Sequence, residues 1–272
     1  MKIARVFPSK TNFTPDDEAC FFGPPPDPRL VNVNMDFDEI HISTIFTWDI
    51  EKAKRLGRQW ERFGKIILGG PAFGDPGGEF TPGKFLKPGY VITSRGCPNK
   101  CWYCFVPKRE GSIRELKIHD GNNLIDNNLL ACGEKHIADV FKMLSDKRRI
   151  IFEGFYADLV SDEIAFEIRK LKVREIWMAY DRPGDLEKVA LAMKRLGVVP
   201  NRRIYIYVLA GFENDSLEKA EARCLEIAKL GGYPFMMLYQ PEKEMKYSKE
   251  WRRLQRLWAR PALWKTYMKG KI

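Results

Sequence analysis

The sequence predicts an α/β protein: a partial (β/α)6 barrel, with a small α/β region before it and a short helical tail after it. Six short runs rich in β-branched and aromatic residues recur between Tyr90 and Tyr239. Most are separated by helices with apolar residues three and four apart, an alternation that favours parallel strands. The first run leads directly into three closely spaced cysteines, in "SRGCPNKCWYCFVPKREG" (94–111).

Residues 1–89 form the first unit. "KIARVF" (2–7) reads as a strand, followed by a loop containing "FFGPPPDP" (21–28). "DEIHISTIF" (38–46) is a second strand. Asp49 is placed to cap a helix whose apolar face is Ala53, Leu56, Trp60 and Phe63. "KIILGG" (65–70) is a third strand, and the Gly/Pro-rich stretch 69–89 closes the unit.

Residues 90–240 hold the barrel. The expected strands are "YVITS" (90–94), "NLID" (123–126), "RRIIFEG" (148–154), "REIWMAY" (174–180), "RRIYIYVLAG" (202–211) and "PFMMLY" (234–239). One helix shows Ile137, Val140, Phe141 and Leu144; a second shows Ile164, Ile168 and Leu171 behind a Ser161 cap. A third carries Leu186, Val189, Met193 and Leu196 and stops at Gly197. The fourth starts at Asp215 with Glu218 three residues on, resembling a capping box. The connection 105–122 shows no good helix and is expected to be an extended loop.

Residues 241–272 form a basic, Trp-rich tail. In "WRRLQRLWARP" (251–261), Trp251, Leu254 and Trp258 share one helical face and Arg252, Arg256 and Arg260 the other. Pro261 limits that helix. The tail has ten Lys and Arg against three Glu, so it supplies +7 of the net charge of +10.

At 272 residues the chain can bury a sizeable core. A mean hydropathy of -0.37 suits a soluble globular protein. No stretch approaches the ~20 apolar residues of a membrane span. The first residues have no long apolar run, so they do not read as a secretion signal, and the expected compartment is the cytoplasm. There a tight group of thiols means metal or redox chemistry rather than disulfides. Cys20, Cys132 and Cys224 are scattered, and Cys224 shares an apolar helical face with Leu217, Ala220 and Ile227.

The spacing of Cys97, Cys101 and Cys104 is C-x3-C-x2-C. A structural zinc wants four protein ligands, and neither His119 nor His136 has the short local spacing to complete such a set. An iron–sulfur cube has four irons, usually held by four cysteines. Three would leave one iron free for a small molecule. Two other readings stay open from the residues alone. One is a zinc-stabilised nucleic-acid binding module; the other is an iron–sulfur electron-transfer protein.

This spacing, with the aromatic Tyr103 before the last cysteine, resembles the signature of the radical S-adenosylmethionine (radical SAM) superfamily. The resemblance covers about residues 90–240. It implies a [4Fe–4S] cluster on Cys97, Cys101 and Cys104, with S-adenosylmethionine (SAM) on the open iron. One electron would cleave SAM to methionine and a 5′-deoxyadenosyl radical, which abstracts hydrogen from a substrate. An electron donor such as flavodoxin or ferredoxin is implied.

Ligand groups in such barrels sit at the C-terminal ends of strands. Tyr103 is placed like the family residue that approaches adenine; a ring packed for its own sake is the alternative. Asp126, Asn127 and Asn128 lie where relatives bind the SAM amino group with a Gly-Gly-Glu-like segment, a pattern this chain departs from. Turn formation accounts for them equally. Glu153 and Asp181 suit ribose hydroxyls or the ammonium group, or else cap a helix or pair with an Arg. Gly211, in "VLAGF", would allow adenine close to the backbone.

The β/α unit ending in "GGP" resembles the junction in cobalamin-binding radical SAM proteins. It is short and lacks a D-x-H-x-x-G run, and His41 lies in a strand, so a reduced domain without cobalamin is expected. RNA, a peptide and a small metabolite all remain open as substrate. Lys, Arg and Trp of the tail suit RNA. Packing of its Trp stripe on the open side of the barrel explains them without any partner.

Overall fold

The computed structural model describes residues 1–27, 35–197, 203–212, 214–241 and 245–270. Four parallel strands open the chain: β1 (Ile3–Phe7), β2 (Cys20–Phe22), β3 (Glu39–Ser43) and β4 (Lys65–Gly69), in the order β2-β1-β3-β4. Alternation sorts their side chains. Ala4, Val6, Ile40 and Ile42 are fully buried and form one core with Ala53, Leu56 and Trp60 of α1 (Ile50–Trp60). Arg5, His41 and Ser43 belong to the other face. β2 was not expected; three residues carry no alternation, and pairing with β1 alone makes them a strand. Asp49 makes no side-chain cap, and a short 3-10 turn (Thr47–Asp49) leads into α1 instead.

The second sheet has six parallel strands. They are β5 (Tyr90–Val91), β8 (Asn123–Leu124), β9 (Arg148–Phe155), β10 (Lys172–Ala179), β11 (Arg203–Ala210) and β12 (Tyr233–Leu238), in the order β12-β11-β10-β9-β8-β5. With its intervening helices it is the expected partial barrel. Ile150, Phe152, Ile176, Met178, Ile206, Val208 and Met236 are buried in one core with residues of the helices α3 (Glu134–Leu144), α4 (Asp162–Lys170), α5 (Leu186–Leu196) and α6 (Leu217–Lys229). The alternate positions, among them Trp177, Tyr205, Tyr207 and Phe235, meet one another on the opposite, inner side.

Two differences from the expected elements bear on the site. "YVITS" ends early as a barrel strand. The chain turns away, and β6 (Ser94–Arg95) pairs antiparallel with β7 (Arg114–Glu115). The connection expected to be extended therefore holds that hairpin and one helical turn, α2 (Val106–Arg109). Near the end of β9 the register with β10 is irregular.

The tail forms two helices, α7 (Lys249–Trp258) and α8 (Pro261–Lys269), which pack beside β12 and α6. Pro261 starts α8, where its missing N–H costs nothing. Trp258 and Trp264 are buried, and Trp251, Leu254 and Tyr267 pack on the barrel core. Arg252, Arg253, Arg256 and Arg260 are exposed. The indoles thus cover an open sheet edge. Among the described residues no helix is long and apolar enough to cross a membrane.

The fourth barrel helix begins differently from expectation. Ser216 caps it, accepting from the Lys219 N–H at 3.2 Å. Asp215 is drawn inward, where its carboxylate pairs with Arg223 at 2.9 Å and accepts from the Gly211 N–H at 2.8 Å. Arg223 is buried and also donates to the Leu209 carbonyl at 2.8 Å. Replacing one partner strands a buried charge. Arg223→Ala is therefore expected to lower stability by about 3–5 kcal/mol in urea unfolding. Adding Asp215→Asn should recover part of that loss, because the uncompensated charge is then gone.

Candidate functional site

The cysteine loop is fixed first by its backbone. Gly96 has φ +81°, and a Cβ there would lie 2.1 Å from the Ser112 carbonyl oxygen, so only glycine fits. The Cys97 N–H donates to the Gly111 carbonyl at 3.1 Å, and Cys104 N–H to Cys101 carbonyl at 3.1 Å. All three thiols are free and partly buried. They open on one cavity of about 190 Å³, shared with Tyr103, Asn127, Asn128 and Asp181. Burial first, then the neighbouring Cys101 and Cys97, raise the Cys104 thiol pKa. Among the described residues no three His, Cys, Asp or Glu side chains gather tightly enough to hold a single ion. The thiols edge an opening instead of meeting at a point.

Glu110, which sequence reasoning did not single out, knits this loop together. Its buried carboxylate accepts from the Gly96 N–H at 3.0 Å, from Arg109 at 2.6 Å and from the Asn127 amide at 2.6 Å. Asn128 is turned toward Cys97, its Nδ2 lying 3.5 Å from Sγ. Its Oδ1 is buried with no partner. Gly154, at φ +71°, lets β9 pass the 126–127 backbone, since a Cβ would lie 2.1 Å from the Asp126 carbonyl oxygen. It too lines the cavity.

The other expected site residues divide between cavity and surroundings. Tyr103 donates to Asp181 Oδ2 at 2.7 Å, and the second Asp181 oxygen accepts from the Leu209 N–H at 3.2 Å. Burial pushes both pKa values up, and the Asp181 charge adds to the effect on Tyr103. Asp126 lies behind the cavity wall, where one carboxylate oxygen accepts from Thr93 and Ser94. Glu153 is on the inner side of the barrel beside Tyr207 and Glu175 and does not line the cavity. Gly211 has its own close neighbour: Tyr247 donates to its carbonyl at 3.0 Å, and a Cβ would lie 2.4 Å from that ring.

A second cavity, of about 570 Å³, lies between the uncovered face of the N-terminal sheet and the start of the barrel. His41, Ser43 and Ile67 are on one side, Ile92, Arg95 and Ile125 on the other. His41 Nε2 is 2.8 Å from Glu39, and its ring stacks near Phe85.

No protein-family model matches the chain, and no curated protein matches it either. Solved structures do match. One is the radical SAM methyltransferase TsrM from Kitasatospora setae with cobalamin and a [4Fe-4S] cluster bound. It is 11% identical over 87% of this chain and 74% of that one, with a TM-score of 0.61. A second is TsrM with tryptophan substrate and the SAM analogue aza-SAM bound, 10% identical over 88% and 72%, TM-score 0.59. At that identity the likeness is one of fold. A four-stranded parallel sheet followed by six parallel strands in a partial barrel gives this chain a fold similar to that of these two structures.

Proposed function

We propose that this chain is a radical SAM enzyme. The observation that carries the reading is three free thiols, spaced C-x3-C-x2-C, opening on one cavity at the C-terminal ends of the barrel strands. The donor set suits a [4Fe–4S] cluster. Thiolates are its usual ligands, and a four-iron cube spreads them wider than a single ion does. Cys97, Cys101 and Cys104 would hold three irons, leaving the fourth for the amino and carboxylate groups of SAM. Bound there, cluster and SAM would together supply one-electron reductive cleavage of SAM and, from it, hydrogen abstraction from a substrate.

The chain's own residues bind and orient. Asn128 directs its amide at the Cys97 sulfur, a contact that tunes a cluster's potential. Asn127 donates its amide to Glu110 at 2.6 Å, and its carbonyl oxygen would serve to accept from the SAM ammonium group. Tyr103 and Asp181 form the wall suited to adenine and ribose. Asp126 holds the strand end beneath the loop, and Gly211 the end of β11. A flavodoxin- or ferredoxin-type protein would supply the electron, in the cytoplasm.

Cobalamin is left out of this reading. The chain has no D-x-H-x-x-G run, and the histidine lining the second cavity, His41, is already engaged by Glu39. The test is anaerobic preparation with iron and sulfide analysis, then assay with SAM and a strong reductant. About four irons per chain and 5′-deoxyadenosine are expected. Tightly bound zinc without iron would overturn the reading.

A further inference from the structure

We infer that the inner wall of the barrel binds a positively charged group of an organic substrate, an ammonium held against Trp177 and Tyr207 with Glu153 as counter-ion. The inference rests on the function proposed above in taking the bound molecule for a substrate. Trp177 and Tyr207 line the same cavity as the three cysteines, and Glu153 lies beside Tyr207 on the inner side of the barrel, outside that lining. One face of Trp177 is covered by Tyr205, stacked on it at 4.2 Å and 8°, whereas Tyr207 and Phe235 meet it at an angle. Trp177 lies 4.9 Å from Tyr207 at 33° and 5.5 Å from Phe235 at 73°, while Tyr207 and Phe235 meet at 87°. Rings set at such angles make a corner, and the negative π faces of a corner attract cations.

The charge around that corner has one sign to spare. Glu153 has no ion-pair or hydrogen-bond partner among the described residues. Burial and the neighbouring Glu175 raise its pKa to about 7. Glu175 itself is engaged, by Arg174 at 3.2 Å and by the Trp177 indole N–H at 3.3 Å. The other titratable groups facing Glu153 are Tyr90 and Tyr207, whose pKa values are raised by burial and by Glu153 in turn. Arg203, on the neighbouring strand, is taken up with the Tyr205 hydroxyl and the ring of Tyr233. Nearer the cysteines the cavity wall carries Asp158, Asp181 and Asp185 against Lys188, which is paired to Asp158 at 2.5 Å. A carboxylate buried without a cation holds its proton; an ammonium entering beside it restores the charge. An anionic substrate group would meet repulsion at the same place.

The test uses the full chain as purified and two probes of nearly equal size, tetramethylammonium and tert-butanol, in ligand-observed NMR titrations. Tetramethylammonium is expected to bind and tert-butanol not. Glu153→Gln and Trp177→Leu should each weaken the cation by about tenfold. Its affinity should rise several-fold from pH 6 to pH 8, as Glu153 loses its proton, and that rise should vanish in Glu153→Gln. The same two variants are titrated with SAM and with S-adenosylhomocysteine, which lacks the sulfonium charge. A loss confined to SAM would show that Glu153 serves the cofactor and would overturn the inference. So would equal binding of the two small probes, or unchanged cation binding in Glu153→Gln. These measurements need no radical chemistry. A chain that forms no 5′-deoxyadenosine but passes them refutes the proposed function and leaves the cation site standing.

Discussion

Replacing Cys97, Cys101 or Cys104 by Ala is expected to abolish 5′-deoxyadenosine formation, by at least about a thousandfold, and to remove the brown chromophore. The size follows from the chemistry. A cluster that has lost one of three thiolates cannot keep a defined open iron, and no other group in the cavity can deliver an electron to SAM. The remaining cysteines make the control. Cys224 is fully buried among the apolar residues of α6, and burial drives its thiol pKa far up. Cys132 is buried with its pKa raised to about 11, and Cys20 donates to the Pro15 carbonyl at 2.8 Å. None is poised as a thiolate, so Cys20→Ala, Cys132→Ala and Cys224→Ala should keep full iron content. Iron loss in Cys132→Ala equal to that in Cys97→Ala would mean a fourth protein ligand. The open iron, and with it the proposed role of SAM, would then be lost.

The barrel was legible in the sequence because its signals are local. Each of the later strands reads as a short apolar run bounded by a turn, and each helix keeps its own stripe. Ser161 and Gly197 act where the sequence puts them, Ser161 accepting from the Ile164 N–H and Gly197 ending α5. Most of the tail was legible for the same reason: a stripe of Trp and Leu beside a stripe of Arg has one packed face and one wet one. What escaped depends on partners distant in sequence. Cys20–Phe22 is a strand only because β1 lies beside it. Asp215 has the residue type of a cap, yet a guanidinium eight positions on offers a stronger partner than the helix N-terminus does.

The site divides along the same line. The cysteine spacing is a local pattern, and so is the glycine before it. Glu110 is not, since its role comes from Gly96 and Asn127, which approach it from 14 and 17 positions away. Gly154 reads as an ordinary strand end until the 126–127 backbone is brought against it. Glu153 and Asp181 look alike as carboxylates near strand ends. The pleat separates them: Asp181 follows the end of its strand and reaches the cavity, whereas Glu153 points inward from within β9.

Asp126→Ala is expected to cost about 3–5 kcal/mol in stability and to lower iron content, while Asp126→Asn should be close to wild type in both. One oxygen of this buried carboxylate accepts from the Thr93 N–H at 2.8 Å, the Ser94 hydroxyl at 2.8 Å, the Thr93 hydroxyl at 3.2 Å and the Ser94 N–H. Those two residues are where the chain leaves β5 for the cysteine loop, so the bonds fix where the loop starts. Alanine leaves two buried N–H groups unpaired, each costing about 1–3 kcal/mol, and frees the loop. Asparagine keeps the accepting oxygen and puts an NH2 where the other oxygen has no partner. Burial is the largest influence on this carboxyl and raises its pKa, outweighing the donors, which lower it. A carboxyl with a raised folded-state pKa contributes most below its unfolded value and loses ground as pH rises through the folded one. The stability advantage of the wild type over Asp126→Asn should therefore shrink as pH rises above the unfolded value, about 4. Urea unfolding of both proteins at pH 5 and pH 8 reads this directly. An advantage that grows with pH would mean the buried carboxylate is stabilised as the anion, with the four donors outweighing burial.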